Sequence, residues 1–311
     1  MRLEAVTDQN FCEDDYLIAN PDVRAAVEKG VFASGRQHFQ SHGYREKRYQ
    51  RAPLIFFVHV PKTAGSTVNS YLMKLLPDGS IHSEGWFYDD ANMHRLDALS
   101  WVSGHIPYSV ASTRIRQFTN RRVEYFACVR DPTDRVRSHY NWVIEIFHRS
   151  GYDSNLEVVK GMSEQIRNSG YGIPAIQANL LKYRWHFLDI QAIYLAKDRE
   201  PVAGGSFGSF KFVATPDRLT DLLYTMTGKK VSVARRENKS SKHFDPQLFR
   251  EPEMESFLRR HNALDEQLFE FVRSGNLCNQ NETRILSQRM SRPWKERARG
   301  LALRAKRYLG V

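Results

Sequence analysis

Short apolar runs alternate along the chain with amphipathic stretches of helical period. The clearest run is LIFFVHV, bounded by Pro53 and Pro61 and rich in β-branched and aromatic residues, which predicts a buried strand at 54–60. Similar runs predict strands at 101–106, 123–129, 191–196 and 210–215. Helical periods predict helices at about 66–76, 133–147, 174–184, 217–227, 246–259 and 262–274. This alternation predicts an α/β fold in which helices flank a parallel sheet on both faces.

Ahead of the first predicted strand, residues 1–50 have the pattern of a small helical module and a linker. Asn20 is placed to cap a helix, Pro21 lies in its first turn and Gly30 follows its end. The segment SGRQHFQSHG predicts a second short helix that ends at Gly43. The pattern of this region resembles a short N-terminal segment attached to assorted bacterial glycan-related enzymes. We expect it to serve in packing or docking.

The C-terminal residues 284–311 carry most of the net charge of +11, because nine Lys or Arg side chains there face one acid, Glu296. Apolar side chains recur in this segment at steps of three and four residues: Trp294, Ala298, Leu301, Ala305 and Tyr308. This spacing predicts a basic amphipathic helix. Such a helix suits an anionic membrane surface, an acidic glycan, or packing and partner docking, which we slightly favour. Nucleic acid is not expected as a partner, because no signature of a nucleic-acid-binding motif is present.

The remaining body, residues 51–283, has the size of one enzyme domain, and 41% hydrophobic residues in a chain of 311 support a sizeable core. Cys12, Cys128 and Cys278 are far apart and lack metal-site spacing, so neither a disulfide framework nor a zinc site is predicted. There is no apolar run of roughly 20 residues and no apolar signal-peptide core at the start. These features predict a cytoplasmic protein.

A first candidate anion site follows the first predicted strand. It is the segment that joins this strand to a helix and contains Lys62, Thr63, Ala64, Gly65, Ser66 and Thr67. Backbone N–H groups at the start of the helix, the lysine and the hydroxyls would bind a phosphate. The pattern GxxxxGK[ST] of nucleotide-triphosphate loops is absent, and no later strand ends in an obvious magnesium-binding Asp. The alternative is an ordinary strand-to-helix turn with a good cap.

A second candidate phosphate site follows the strand predicted at 123–129. Arg130 comes at the end of this strand, and Ser138 lies about two turns into the helix that Pro132 begins. A planar guanidinium and a hydroxyl suit a phosphate. The alternative is an ion-pair cluster at the start of the helix that contains Arg130, Asp131 and Arg135. Two candidate phosphate sites at two strand ends indicate phosphate binding more specifically than either site alone.

The two segments FFVHVPKTAGSTV and CVRDPTDRVRSHY resemble the 5′-phosphosulfate loop and the 3′-phosphate motif of sulfotransferases that use 3′-phosphoadenosine 5′-phosphosulfate (PAPS). The resemblance covers roughly residues 54–275 and is greatest to the carbohydrate branch, which includes heparan sulfate 2-O-sulfotransferase. It implies a P-loop-NTPase-like α/β fold, a sulfotransferase domain at 51–283 and PAPS as donor, with the product 3′-phosphoadenosine 5′-phosphate (PAP) and no metal. It places the 5′ end at Lys62–Thr67 and the 3′-phosphate at Arg130 and Ser138.

A third segment, Ser103-Gly104-His105, ends the strand predicted at 101–106. A hydroxyl acceptor loses its proton as it is sulfated, and histidine is well suited to accept that proton. In the similar 2-O-sulfotransferases a Gly-His pair at this place supplies the base, which implies that His105 is the catalytic base and that Lys62 stabilises the leaving group. The competing histidines are His59, His94 and His139.

A fourth segment, residues 235–243, is basic and polar. In related enzymes a loop here closes over the nucleotide, which implies donor contacts from Arg236, Lys239 and Ser240. The alternative is a solvated basic loop.

These features predict a bacterial enzyme that transfers a sulfuryl group from PAPS to a hydroxyl of an acceptor, expected to be a glycan or a glycolipid. Two alternatives stay open. One is a P-loop kinase or related phosphotransferase, which the missing loop pattern and metal carboxylate disfavour. The other is a non-catalytic protein that binds a nucleotide or a glycan.

Overall fold

A computed structural model of the chain describes residues 1–76, 78–82, 84–146, 157–196, 210–233 and 242–274. The predicted donor contacts Arg236, Lys239 and Ser240 lie outside the described residues. So does the basic C-terminal helix predicted within 284–311. Among the described helices, none combines the length and the apolar character needed to cross a membrane.

The described strands form a two-stranded antiparallel sheet and a five-stranded sheet in which all neighbouring strands are parallel. In chain order the strands are β1 (Leu3–Ala5), β2 (Tyr49–Arg51), β3 (Leu54–Val58), β4 (Gly79–His82), β5 (Trp101–Gly104), β6 (Val123–Cys128) and β7 (Phe210–Ala214). The small sheet pairs β1 with β2, and the large sheet has the order β4-β5-β3-β6-β7. The predicted α/β fold with a parallel sheet is therefore confirmed.

Helices cover the large sheet and build the N-terminal region. They are α1 (Glu13–Ala19), α2 (Pro21–Glu28), α3 (Gly35–His38), α4 (Gly65–Leu75), α5 (Asp90–Met93), α6 (Tyr108–Phe118), α7 (Pro132–Ile146), α8 (Glu157–Asn168), α9 (Ile173–Lys182), α10 (Arg184–Phe187), α11 (Ile190–Leu195), α12 (Leu219–Thr227), α13 (Pro252–His261) and α14 (Ala263–Arg273). A π-helical turn at Phe39–Gly43 extends α3, and 3₁₀ turns lie at Glu84–Tyr88, Leu96–Ala98, Pro216–Arg218 and Pro246–Arg250.

The central strand β3 is buried along its whole length. Its residues alternate between two cores: Leu54, Phe56 and Val58 pack into one hydrophobic cluster, and Ile55 and Phe57 pack into another. A strand that is covered on both faces has no polar face, which explains its continuous apolar run. From β3 the chain passes through a loop into α4, which is the strand-loop-helix order of P-loop proteins.

The segment predicted as a strand at 191–196 is helical instead, as α11. A six-residue apolar run fits a buried helix turn as well as a strand, and periodicity alone does not separate the two. Tertiary contacts decide the outcome here: the Ala192 N–H donates to the buried Asp265 carboxylate at 2.9 Å, and Leu195 packs in the core. The strands predicted near β3, β5, β6 and β7 are confirmed, whereas β4 and the helix α6 were not predicted.

The N-terminal region is joined to the large sheet through a buried carboxylate. Asp15 of α1 is fully buried and accepts hydrogen bonds from Arg51 Nε at 2.7 Å and from Arg122 Nε at 2.9 Å. Arg51 ends β2 just before β3, and Arg122 directly precedes β6. Two further carboxylates belong to this network: Glu4 pairs with Arg122 at 2.6 Å, and Asp97 pairs with Arg51 at 3.2 Å. One acid thus connects the first helix to the amino ends of the two central strands.

Replacing Asp15 by alanine is expected to lower the free energy of unfolding by about 3 kcal/mol, because it leaves Arg51 and Arg122 without their shared counter-charge. Denaturant unfolding measures this loss. The matched control is Asp22→Ala, which removes an ion pair with Arg48 at 2.8 Å whose carboxylate is 59% exposed. That variant is expected to lose less than about 1 kcal/mol. Equal losses of unfolding free energy in the two variants would contradict the larger contribution that we assign to the buried network.

Candidate active site

Three loops that carry predicted site residues leave the sheet at the same edge. β3 lies between β5 and β6, and Val58 near its end pairs with Gly104 on one side and with Ala127 on the other. Because the strands are parallel, the chain continues from all three at their carboxyl ends, which is where α/β sheets bind ligands. The structure therefore brings together the loops that carry Lys62, His105 and Arg130.

The loop after β3 has an unusual backbone. Lys62 and Ala64 have φ angles of 69° and 68°, in the left-handed region that residues with a Cβ seldom occupy. Thr63 lies between them, and its hydroxyl donates to the Val60 carbonyl at 2.9 Å inside the loop. The Thr63 side chain therefore shapes the loop and is not directed to a ligand. Such strained residues are frequent at ligand sites.

The loop ends at the amino terminus of α4. The Ala64 carbonyl accepts the N–H groups of Thr67 at 3.0 Å and Val68 at 3.2 Å. The N–H groups of Gly65 and Ser66 come earlier in the helix, where the helix itself has no carbonyl for them. Together with the positive end of the helix dipole and the exposed Ser66 hydroxyl, they form a suitable site for an anion. Lys62 approaches the same region from the loop, with its Nζ 5.8 Å from the centre of the Trp142 ring on α7.

Gly65 is required because the ring of His59 occupies the place of a side chain. A Cβ at position 65 would lie 1.9 Å from His59 Cδ2. The His59 ring also packs against the ring of His105, and the two ring centres are 4.0 Å apart. The first turn of α4, the last residues of β3 and the loop after β5 are thus packed through two imidazole rings.

His105 is held by the backbone of His59. Its Nδ1 lies 2.8 Å from the His59 carbonyl oxygen. Because a carbonyl only accepts hydrogen bonds, Nδ1 carries the proton and Nε2 has the free lone pair. His105 is exposed at the edge of a cleft. Its Nε2 is therefore the atom that can accept a proton from a bound hydroxyl.

Both imidazole rings are kept neutral by their surroundings. Desolvation lowers the pKa of His105, the hydrogen bond to the His59 carbonyl raises it, and the charge of Lys62 lowers it. The pKa of His59 is lowered to about 3, chiefly by desolvation and then by His105 and Lys62. A neutral His105 is in the protonation state that a general base requires.

The second strand end positions Arg130 through its backbone. The side chain of Gln191 on α11 accepts from the Arg130 N–H at 2.7 Å and donates to the Arg130 carbonyl at 3.0 Å. The Arg130 side chain is 32% exposed. Among the described residues it forms a long ion pair with Asp134, at 3.8 Å. Ser138 lies two turns into α7 and is half-buried. Gln191 was not identified from the sequence, since it lies in the run that was predicted to be a strand.

An ion-pair cluster is also present at the start of α7, as the alternative interpretation predicted: Arg130 and Asp131 belong to it, with Asp131 3.8 Å from Arg250, but Arg135 does not. Asp134 is paired more closely with Arg137 and Arg250, at 2.9 Å each, than with Arg130. Arg135 is fully buried, where it donates to the Phe187 carbonyl and faces Asp265 at 3.5 Å. Arg135 therefore has a structural role, whereas Arg130 stays on the accessible side of the cluster.

The competing histidines have other surroundings. His139 is buried, and its Nδ1 lies 3.3 Å from a guanidinium nitrogen of Arg135. Since the guanidinium only donates, this Nδ1 is an acceptor, and burial lowers the pKa of His139 well below its usual value. His94 packs edge-on against Phe118, with ring centres 5.0 Å apart. Of these histidines, His59 alone contacts His105.

A cleft of about 590 Å³ opens beside His105. It is lined by His59, Ser66, Asn69, Ser70, Met73, Lys74, Ile81 and His105. Four of these residues, at 66, 69, 70 and 73, lie on one face of α4 at spacings of three and four. Ser66 was identified from the sequence, whereas Asn69 and Ser70 were not, although their helical spacing after Ser66 was a usable signal.

The variant Gly65→Ala is expected to displace the His59 ring and to lower the free energy of unfolding by about 1 to 3 kcal/mol, because the added Cβ overlaps the ring. Denaturant unfolding and the imidazole NMR signals of His59 and His105 measure the two effects. The control is Gly161→Ala in α8, where a Cβ has no neighbour within 4 Å and the change is expected to be neutral or slightly stabilising. Unchanged imidazole signals in Gly65→Ala would contradict the packing described.

No family model matches the chain. Among solved structures, the chain is similar to a sulfotransferase from Alicyclobacillus acidocaldarius, with 18% identity over 70% of this chain and 96% of that one, at a TM-score of 0.36. It is also similar to a mouse sulfotransferase complexed with PAP, with 12% identity over 76% of this chain and 88% of that one, at a TM-score of 0.31.

Among curated proteins, the chain is similar to a protein-tyrosine sulfotransferase from Arabidopsis thaliana. The two sequences are 30% identical over 131 residues, which are 42% of this chain. The match spans 25% of the length of that relative. This similarity supports a relationship of the chain to sulfotransferases.

Proposed function

We propose that the protein transfers a sulfuryl group from PAPS to a hydroxyl of an acceptor, and that the acceptor is a carbohydrate. The observation that carries this proposal is the arrangement of three loops at one sheet edge. Two anion-binding strand ends, after β3 and β6, are neighbours, and a neutral histidine follows β5 on the other side of β3. The sequence similarity to a sulfotransferase supports the same activity.

The two strand ends suit the two phosphates of PAPS. Lys62, the first N–H groups of α4 and the hydroxyls of Ser66 and Thr67 would bind the 5′-phosphosulfate. Arg130, with Ser138, would bind the 3′-phosphate, since its guanidinium is partly exposed and only loosely paired. Arg236, Lys239 and Ser240 are proposed as further donor contacts.

The transfer needs positioning and charge stabilisation more than a covalent intermediate. His105 Nε2 takes the proton from the acceptor hydroxyl as the oxygen attacks sulfur in line. The bond between sulfur and the bridging oxygen of the 5′-phosphate breaks, and that oxygen keeps the electron pair. Lys62 and the amino end of α4 stabilise the charge that develops there. A sulfuryl group carries less negative charge than a phosphoryl group, so in this proposal the transfer proceeds without a metal.

Calorimetric titration with PAP in the absence of Mg²⁺ tests the donor site. We expect PAP to bind more tightly than ATP, and Arg130→Ala to weaken PAP binding by at least about tenfold, because a charge-assisted contact to the 3′-phosphate is lost. Arg36→Ala serves as control, since it removes an exposed guanidinium of the N-terminal region that pairs with Asp8. A preference for ATP that requires Mg²⁺ would instead support a kinase.

The role of His105 is tested by the variant His105→Gln and by a pH profile. We expect transfer of labelled sulfate from PAPS to fall about 10²- to 10⁴-fold in the variant, with PAP affinity retained. A base acts only when it is unprotonated, and the pKa of His105 is lowered. The acid limb of the kcat/KM profile is therefore expected below pH 6.5. Activity should rise with pH through that limb, as His105 loses its proton, and stay constant above it. An acid limb above pH 7 would contradict the assignment.

A further inference from the structure

The carboxylate of Asp134 lies among three arginines at the start of α7. Its Oδ1 accepts a hydrogen bond from Arg250 Nη2 at 2.9 Å and lies 2.9 Å from Arg137 Nη2. Its Oδ2 faces Arg130 Nη2 at 3.8 Å, which is too long for a hydrogen bond. One oxygen of the carboxylate therefore pairs closely with two guanidinium groups, while the other stays apart from Arg130.

Asp134 and the proposed 3′-phosphate compete for the guanidinium of Arg130. Carboxylates and phosphates both accept paired hydrogen bonds from the planar fork of an arginine. Asp134 lies in the first turn of α7, where the helix dipole favours an acidic side chain. It also follows Arg130 by four residues, so its carboxylate is within reach of the guanidinium. The acid that suits the start of the helix is thus a competitor of the phosphate.

Arg250 is held beside this acid by the packing of its own turn. It is the last residue of the 3₁₀ turn Pro246–Arg250, and the residue before it, Phe249, is fully buried. Phe249 belongs to the same hydrophobic cluster as Tyr140 of α7, and the centres of the two rings are 6.1 Å apart. The turn is therefore packed against the helix that carries Asp134, and the position of Arg250 does not depend on the ion pair alone.

We infer that Arg250 is a positioning residue of the donor site, which holds the Asp134 carboxylate away from Arg130 and so leaves that guanidinium to the 3′-phosphate. This inference rests on the proposed function and deepens it. Without Arg250, Asp134 would keep one close partner, Arg137, and its carboxylate would turn toward Arg130. The 3′-phosphate would then have to displace a carboxylate as it binds. In this assignment Arg250 acts through Asp134 and does not contact the nucleotide.

Such a role predicts an effect on one phosphate of the nucleotide and not on the other. PAP and adenosine 5′-phosphate share the adenosine and the 5′-phosphate, and they differ in the 3′-phosphate. If Arg250 served only the stability of the fold, its loss would weaken the binding of both nucleotides. If it acts through Arg130, its loss weakens the binding of PAP alone. The ratio of the two dissociation constants therefore reports on the inferred role.

The test is calorimetric titration of the full chain with PAP and with adenosine 5′-phosphate, both without Mg²⁺. We expect Arg250→Ala to raise the Kd of PAP about 5- to 10-fold, because a charged partner of Arg130 must be displaced. The Kd of adenosine 5′-phosphate is expected to change less than about twofold, since its binding does not involve the 3′ end. Arg250→Lys keeps the positive charge beside Asp134 and is expected to recover most of the PAP affinity.

A double-mutant cycle with Asp134 tests the route of the effect. Asp134→Asn keeps the shape of the side chain and removes its charge, so its PAP affinity is expected to equal or exceed that of the wild type. In this background Arg250→Ala should change the Kd of PAP less than about twofold, because the competitor is gone. The matched control is Arg48→Ala, which removes a guanidinium that also pairs with two carboxylates, Asp22 at 2.8 Å and Glu46 at 2.7 Å. It lies in the N-terminal region and should leave the binding of both nucleotides unchanged.

The outcomes distinguish this inference from the proposed function. Absence of PAP binding by the wild type, or equal affinity for the two nucleotides, overturns the proposed donor site and the inference with it. A wild-type preference for PAP that Arg250→Ala leaves unchanged overturns the inference alone. So does a loss of PAP affinity that is equally large in the Asp134→Asn background, since Arg250 would then act on the nucleotide directly. If Arg250→Ala does not fold, Arg250→Gln replaces it in the same comparisons, with the same outcomes.

Discussion

The arrangement of the site depends on the burial of β3 on both faces. A strand with apolar side chains above and below must have helices on both sides of the sheet, and its hydrogen-bonding edges are then taken by strands that run in the same direction. Parallel neighbours end at the same edge. The residues that leave β3, β5 and β6 are therefore placed side by side by the core, before any of them contacts a ligand.

Close packing at that edge fixes the tautomer of His105, the proposed base. The contact between Gly65 and the His59 ring leaves no room for a side chain at the start of α4, and the His59 carbonyl then sets which nitrogen of His105 is protonated. Desolvation at this contact lowers the pKa of each ring, although His105 stays exposed at the cleft. The protein gains a neutral imidazole with a defined tautomer, and it accepts strained φ angles at Lys62 and Ala64 in the same loop.

The sequence predicted those parts of the fold whose signal is local. Three local features each favour one structure for a physical reason: the apolar run at β3, the proline that begins α7 and the small residues before α4. The loops predicted from them lie together. Long-range partners were not predictable in this way. Asp265 holds the amide of Ala192 in a helix that local pattern predicted as a strand, and Gln191 supports Arg130 across 61 residues of chain.

The buried contacts of the Asp15 carboxylate limit how the chain can be divided into fragments that fold. Its two guanidinium partners lie at the starts of the strands whose opposite ends form the proposed phosphate sites. A chimera that carries only the first fifty residues would bring Asp15 without its two arginines, and the truncated body would lose the acid that Arg51 and Arg122 share. The N-terminal region is thus linked to the rest of the chain by buried charges, and it becomes portable only when Arg51 and Arg122 travel with it.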